Sequence, residues 1–172
     1  MDVIEALHDK GKKAVEKRDL IVEGILDKTL FVEEIADLPG MTEKDVGIIL
    51  EAMEEVSRTE PSLSSIAWLS LAEKYIEADN NTLKREASQV IGNIASQYAE
   101  RLDSIIPKLL ANSNNDGTVI RWGSGYALGR IILIPKVREK RPLRKADVDC
   151  RSRTGKWHQE SVFVGFEKGN EN

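Results

Sequence analysis

TVIRWGSGYALGRII, residues 118–132, holds a Gly-x-Gly pair beside two arginines and could pass for a phosphate-cradling loop. Such a loop follows a buried strand and opens a helix. Here the preceding residues, ANSNNDG at 111–117, form a polar turn, and nothing upstream has the pattern of a strand. Ile120, Ala127, Leu128 and Ile131 fall at helical spacing around the glycines. The segment therefore reads as a helix, whose small residues at 123, 124, 125 and 127 let a neighbouring helix come close.

The same pattern occurs upstream. Shifted by 37 residues, 83–94 falls on 120–131: Leu83 meets Ile120, Lys84 meets Arg121, Val90 meets Ala127, Ile91 meets Leu128, Gly92 meets Gly129, and Ile94 meets Ile131. The helices before them correspond at a shift near 34, pairing Leu71 with Ile105 and Tyr75 with Leu109. An insertion in a connecting loop absorbs the slip at little cost. Val46–Val56 forms a further, more divergent copy, with Ala52-Met53 matching Val90-Ile91 at a shift of 38. Helix pairs recurring at this period predict an all-α chain, a short α-solenoid of antiparallel helix hairpins.

Outward from there, helical periodicity runs from the start nearly to Lys136. Residues 1–28 predict one or two helices broken near Gly11, with Ile4, Leu7, Leu20, Ile21 and Ile25 inward. Residues 29–40 predict a short helix stopped by Pro39-Gly40. Thr42 is placed as an N-cap with Asp45 three residues on, close to a capping box. Pro61 is placed in the first turn of the next helix. Asn-Asn, Asn-Asp-Gly and Pro-Gly punctuate the short joints.

Composition agrees. Aromatic residues are 5% and charged residues 31%, and Leu, Ile, Val and Ala supply the apolar content. The single Cys150 rules out an internal disulfide framework. No apolar run approaches a membrane span and no signal-like segment opens the chain, so the expectation is a cytoplasmic protein without a membrane role. Residues 1–136 hold 16 Lys and Arg against 23 Asp and Glu, whereas residues 137–172 hold 9 against 6. An acidic body disfavours nucleic acid, which asks for clustered positive charge.

With IIPKLLANSNND at 105–116 followed by IRWGSGYALGRI at 120–131, and LKREASQVIGNI at 83–94, the chain resembles the HEAT repeats, in the short form also seen in phycobilisome-lyase-type repeats. The resemblance covers about residues 61–136 well and 17–58 weakly, with Gly123 and Gly125 where alanines are usual. It implies a HEAT-like superhelix whose second helices line the concave binding side. It also implies that Arg121 bonds to the turn Asp or Asn of a neighbouring repeat. Deoxyhypusine hydroxylases, built of related repeats, carry His-Glu metal pairs that do not occur here. HEAT-like alkylpurine DNA glycosylases require a basic concave face.

No catalytic, cofactor or metal residues stand out. His8 and His158 lack partners at ligand spacing and read as surface histidines, while Glu33-Glu34 and Glu54-Glu55 read as solvated pairs. What remains is a surface. Arg85, Gln89 and Asn93 map by the 37 shift onto Trp122, Tyr126 and Arg130, giving two adjacent i, i+4, i+8 stripes. Trp, Tyr and Arg are the usual interface anchors. These six residues are the candidate contacts for another protein or peptide. The competing reading packs Trp122 and Tyr126 against the next repeat. The functional expectation is a non-enzymatic scaffold without a cofactor; the alternative is a small HEAT-like nucleic-acid-binding or DNA-repair module.

The helical pattern stops after Lys136, dividing the chain into a helical body, 1–136, and an irregular basic tail, 137–172. One reading of the tail is simple disorder. The other comes from back-translation. Read one base later, the tail is compatible with two amphipathic helices joined by an Asn-Gly turn, and Trp157–His158 then permits only Gly. On that reading it is the frameshifted remnant of a closing helix pair. Either way the final repeat is uncapped, exposing Ile132 and Leu133 and inviting self-association.

Overall fold

The computed structural model describes residues 3–35 and 38–140, whose regular structure is all helical, with no strand among them. In chain order the α-helices are α1 (Val3–His8), α2 (Ala14–Leu26), α3 (Val32–Ile35), α4 (Glu43–Thr59), α5 (Ile66–Tyr75), α6 (Asn81–Ile94), α7 (Ile105–Ser113), α8 (Thr118–Ile131) and α9 (Pro135–Lys140). Two 3-10 segments, Pro61–Leu63 and Ala95–Arg101, lead into α5 and out of α6. None of the described helices is long and apolar enough to cross a membrane.

Local chemistry sets the helix starts. At α4 the capping box forms: the Thr42 hydroxyl accepts from the Asp45 N–H at 3.3 Å, and the Asp45 carboxylate accepts from the Thr42 N–H at 2.9 Å. Asn80 caps α6 by accepting from the N–H groups of Thr82 and Leu83. The α5 start differs from expectation. Pro61 opens a 3-10 turn instead, and the helix begins at Ile66 because the Ser65 hydroxyl accepts from the Ala67 N–H. The helix after Asn80 is also shorter than its pattern suggests. It turns 3-10 at Ala95, where Tyr98 leaves helical geometry and donates to the Ser64 carbonyl at 2.8 Å. At the end of the body, α9 carries the helical stretch to Lys140, past the boundary drawn at Lys136, and buries Val137. Residues 141–172, with Cys150, His158 and the segment in which a frameshift is inferred, lie outside the described residues.

Packing follows the sequence period. α5 pairs with α6 and α7 with α8, while α2 packs on α4, α4 on α6, and α6 on α8, the last being the largest helix–helix interface. Side-chain hydrogen bonds cross between elements at nearly constant separation: Asn93 to Ser57, Asn112 to the Ile76 carbonyl, Tyr98 to the Ser64 carbonyl, and Lys136 to Glu100. One continuous core runs through all of them, with Ile21, Ile49, Leu50, Met53, Leu69, Leu83, Ile91, Ile94 and Ile131 buried. Full burial of each such side chain contributes about 1.5–3 kcal/mol before entropy is counted. Leu7, Ile21 and Ile25 are inward as expected, whereas Ile4 and Leu20 remain partly exposed at the N-terminal edge.

The glycine segment is helix α8, lying parallel to α6. A Cβ on Gly123 would stand 3.1 Å from the Arg85 carbonyl oxygen, and one on Gly92 would stand 2.8 Å from the Ala127 Cα. These two glycines allow the backbones to approach. Gly129, the partner of Gly92 in the 37-residue shift, has nothing within 4 Å of its Cβ position. Arg121 bonds differently from the implied contact with a neighbouring repeat. Its guanidinium donates to the Asn115 and Asp116 carbonyls, at 2.8 and 2.7 Å, and to the Thr118 hydroxyl. Its charge closes the turn of its own hairpin, at an N-cap where Gly117 offers no side chain.

Candidate functional site

Helices α4, α6 and α8 lie side by side, and α6 and α8 carry the six residues singled out from the sequence. The structure brings most of them together. On α8, Trp122 stacks on Tyr126 with ring centroids 6.2 Å apart and planes 27° from parallel. The Arg130 guanidinium lies 5.5 Å from the Tyr126 centroid and also donates to its hydroxyl at 2.9 Å. The i, i+4, i+8 spacing on one helix makes this row continuous.

Asn93 holds the row in place from below. It is only 3% exposed and touches three helices. Its amide nitrogen donates to the Ser57 hydroxyl of α4 at 3.1 Å, and its carbonyl oxygen accepts from the Tyr126 hydroxyl of α8 at 2.7 Å. Ser57 in turn donates to the Glu54 carbonyl. The chain Arg130–Tyr126–Asn93–Ser57 thus aligns donors and acceptors through a low-dielectric interior, where each bond polarises the next. Asn93 positions the surface from within and offers almost no area of its own to a partner.

Arg85, Gln89 and Trp122 meet elsewhere, in an open cleft of about 460 Å³ between α4, α6 and the start of α8. Glu54, Glu86, Thr118 and Val119 complete its lining. Trp122 and Val119 are half exposed at its lip, whereas Glu86 and Gln89 are buried at its base. Arg85 donates through Nε to the Glu86 carboxylate at 2.7 Å. Burial pushes the Glu86 carboxyl above the ordinary carboxylate range; Arg85 opposes that shift, and the charges of Glu51 and Glu54 reinforce it.

Sequence reasoning missed Glu54 and Glu86. The Glu54-Glu55 pair reads as solvated, yet the Glu54 side chain is 16% exposed and reaches Arg58 only at 3.9 Å. A helical count from the core positions Leu83, Ala87 and Val90 places Glu86 on the edge of the buried face, the one available signal. His8, read as a surface residue without a ligand-spaced partner, is exposed, and lies 3.4 Å from the Asp45 carboxylate across 37 residues of sequence. Glu33 and Glu34 are solvent-exposed.

A second groove of about 630 Å³ runs past the C-terminal ends of α6 and α8, lined among others by Gly92, Asn93, Glu100, Arg130, Leu133 and Lys136. Leu133 is 72% exposed there. No group of three His, Cys, Asp or Glu among the described residues comes together as a metal site. No family model matches the chain, and neither a curated protein nor a solved structure gives a significant match.

Proposed function

We propose that the chain is a short α-solenoid of HEAT-like hairpins that works as a non-enzymatic scaffold, holding another polypeptide across α4, α6 and α8. The observation that carries this reading is the Trp122–Tyr126–Arg130 row. Large amphipathic side chains stand on the surface, and the fold spends a buried asparagine on fixing their orientation. A rigid aromatic anchor loses little conformational entropy on binding, which is what a contact surface requires. The parallel packing of α6 and α8, and hydrogen bonds spanning close to one sequence period, support the solenoid. The carboxylates of Glu54 and Glu86, which share the cleft with Trp122, weigh against a phosphate backbone as the occupant.

The test is affinity capture with Trp122→Ala and Tyr126→Ala beside the parent protein, with thermal melts in parallel. Because Trp122 is half exposed, its replacement is expected to abolish capture with little change in melting temperature. Tyr126→Ala is expected to lose both capture and stability. Unchanged capture by both variants sinks the reading.

A further inference from the structure

The scaffold reading leaves open what chemistry the partner brings. We infer that the cleft between α4, α6 and the N-terminal turn of α8 receives one lysine or arginine side chain of that partner. This rests on the scaffold reading and adds the identity of the group that enters.

Three observations carry it. The first is charge: Glu54 and Glu86 line the cleft, Glu51 lies near enough to act on Glu86, and the cleft wall supplies a single cation, Arg85. Arg58 reaches Glu54 only at 3.9 Å and divides itself with Glu55 at 3.3 Å. The second is Gln89. Its side chain is nine-tenths buried and lines the cleft, yet it makes no hydrogen bond among the described residues. Its amide atoms are not among the fully buried unpaired ones, so they remain reachable from the cleft that the residue lines.

The third is Trp122. Its ring is 52% exposed at the lip and already fixed against Tyr126, so it presents a π-face beside the carboxylates. An aromatic face next to acids is the environment that attracts an ammonium or guanidinium group. A metal ion is a poorer occupant, because the acids do not converge into a ligand set. An acidic or neutral side chain leaves the charge imbalance standing. A basic side chain lays its aliphatic stem on Val119 and Trp122 and delivers its donors to Glu54, Glu86 and Gln89.

The experiment uses the full chain, labelled with ¹⁵N, titrated to millimolar concentration with the capped tripeptide Gly-Arg-Gly. The same peptide with citrulline in place of arginine serves as the uncharged isostere. Expected are saturable shifts of the Trp122 indole N–H and the Gln89 side-chain amide with arginine. The citrulline peptide is expected to bind at least tenfold more weakly. Glu86→Gln, which leaves shape and fold in place, is expected to weaken the arginine peptide at least tenfold, and Glu54→Gln to do likewise. Equal binding of the two peptides overturns the inference, as does non-saturating drift or a response confined to other residues. Failure of the arginine peptide while Trp122→Ala still abolishes capture removes this inference and leaves the scaffold. Loss of both effects removes both.

Discussion

Helices α6 and α8 carry the same residue pattern 37 positions apart and meet opposite environments. α6 lies between α4 and α8, with Leu83, Glu86–Ala95 and nearly every side chain of its second half buried. α8 is covered on one side only, leaving Val119, Trp122 and Arg130, and Leu133 just beyond its end, in solvent. The paired glycines show what this means. Gly92 is required, because the Ala127 backbone occupies the space of any Cβ, while Gly129 at the matching position faces open space. A glycine at the same place in the pattern thus serves as a joint in one helix and faces open space in the other. The lesson is that a position in the pattern acquires its role from the helix packed on it, and among the described residues none packs on Gly129.

Four experiments break or sharpen that contrast. The largest effect is expected from Gly92→Ala, which forces α6 and α8 apart and costs about 1–3 kcal/mol, read from urea denaturation. Indifference at this site means that the two helices do not touch as described. Next comes Asn93→Ala, which removes the buried amide that joins Tyr126 to Ser57, leaving Tyr126 its bond to Arg130 and Ser57 its bond to the Glu54 carbonyl, and is expected to cost about 1–3 kcal/mol. Tyr126→Phe removes the Asn93 bond together with the exposed Arg130 bond to the same hydroxyl, and should lose roughly 1 kcal/mol. The two losses should not add, since they remove one network, and a double mutant that is fully additive contradicts it.

The third experiment sets two buried carboxylates against each other by pH. Burial raises Asp45, but the Thr42 N–H and hydroxyl and then His8 outweigh it and hold its pKa below 3.8. Its contribution to stability is present above that value and lost as pH falls through the lowered one. Glu86 is shifted the other way, above 4.5. Its contribution is complete below 4.5 and lost as pH rises through the raised value. Glu86→Gln is therefore expected to stabilise the protein at pH 7 and to match it near pH 4, whereas Asp45→Asn is expected to destabilise at pH 7 most. Chemical melts at the two pH values check both signs. The smallest effect belongs to Gly129→Ala, a gain of about 0.5–1 kcal/mol from helix propensity alone. A loss of stability there means that something packs on Gly129 after all.

Much of the architecture was legible before any coordinates. The helices follow from the spacing of Leu83, Val90, Ile91 and Ile94, and from Ile120, Ala127, Leu128 and Ile131, because the 3.6-residue period projects them onto one face. The Thr42–Asp45 cap is equally local. The surface row was legible for the same reason, since residues four apart on one helix are neighbours wherever the helix sits. The cleft was not. It takes Glu54 from α4, Glu86 and Gln89 from α6, and Trp122 from α8, and no sequence spacing states how deeply a residue between two faces sinks.

Sequence alone determined the periodicity, the helix start at Thr42, the Asn-Asn joint, the acidic body and the Trp122–Tyr126–Arg130 alignment, because each depends on the chain's own geometry and charge. Tertiary structure alone decided which glycine is indispensable, which asparagine is a hidden pin, and which way Asp45 and Glu86 titrate. These depend on the distance between helices far apart in the chain, where a displacement of an ångström separates contact from clash and a satisfied carboxylate from an unsatisfied one.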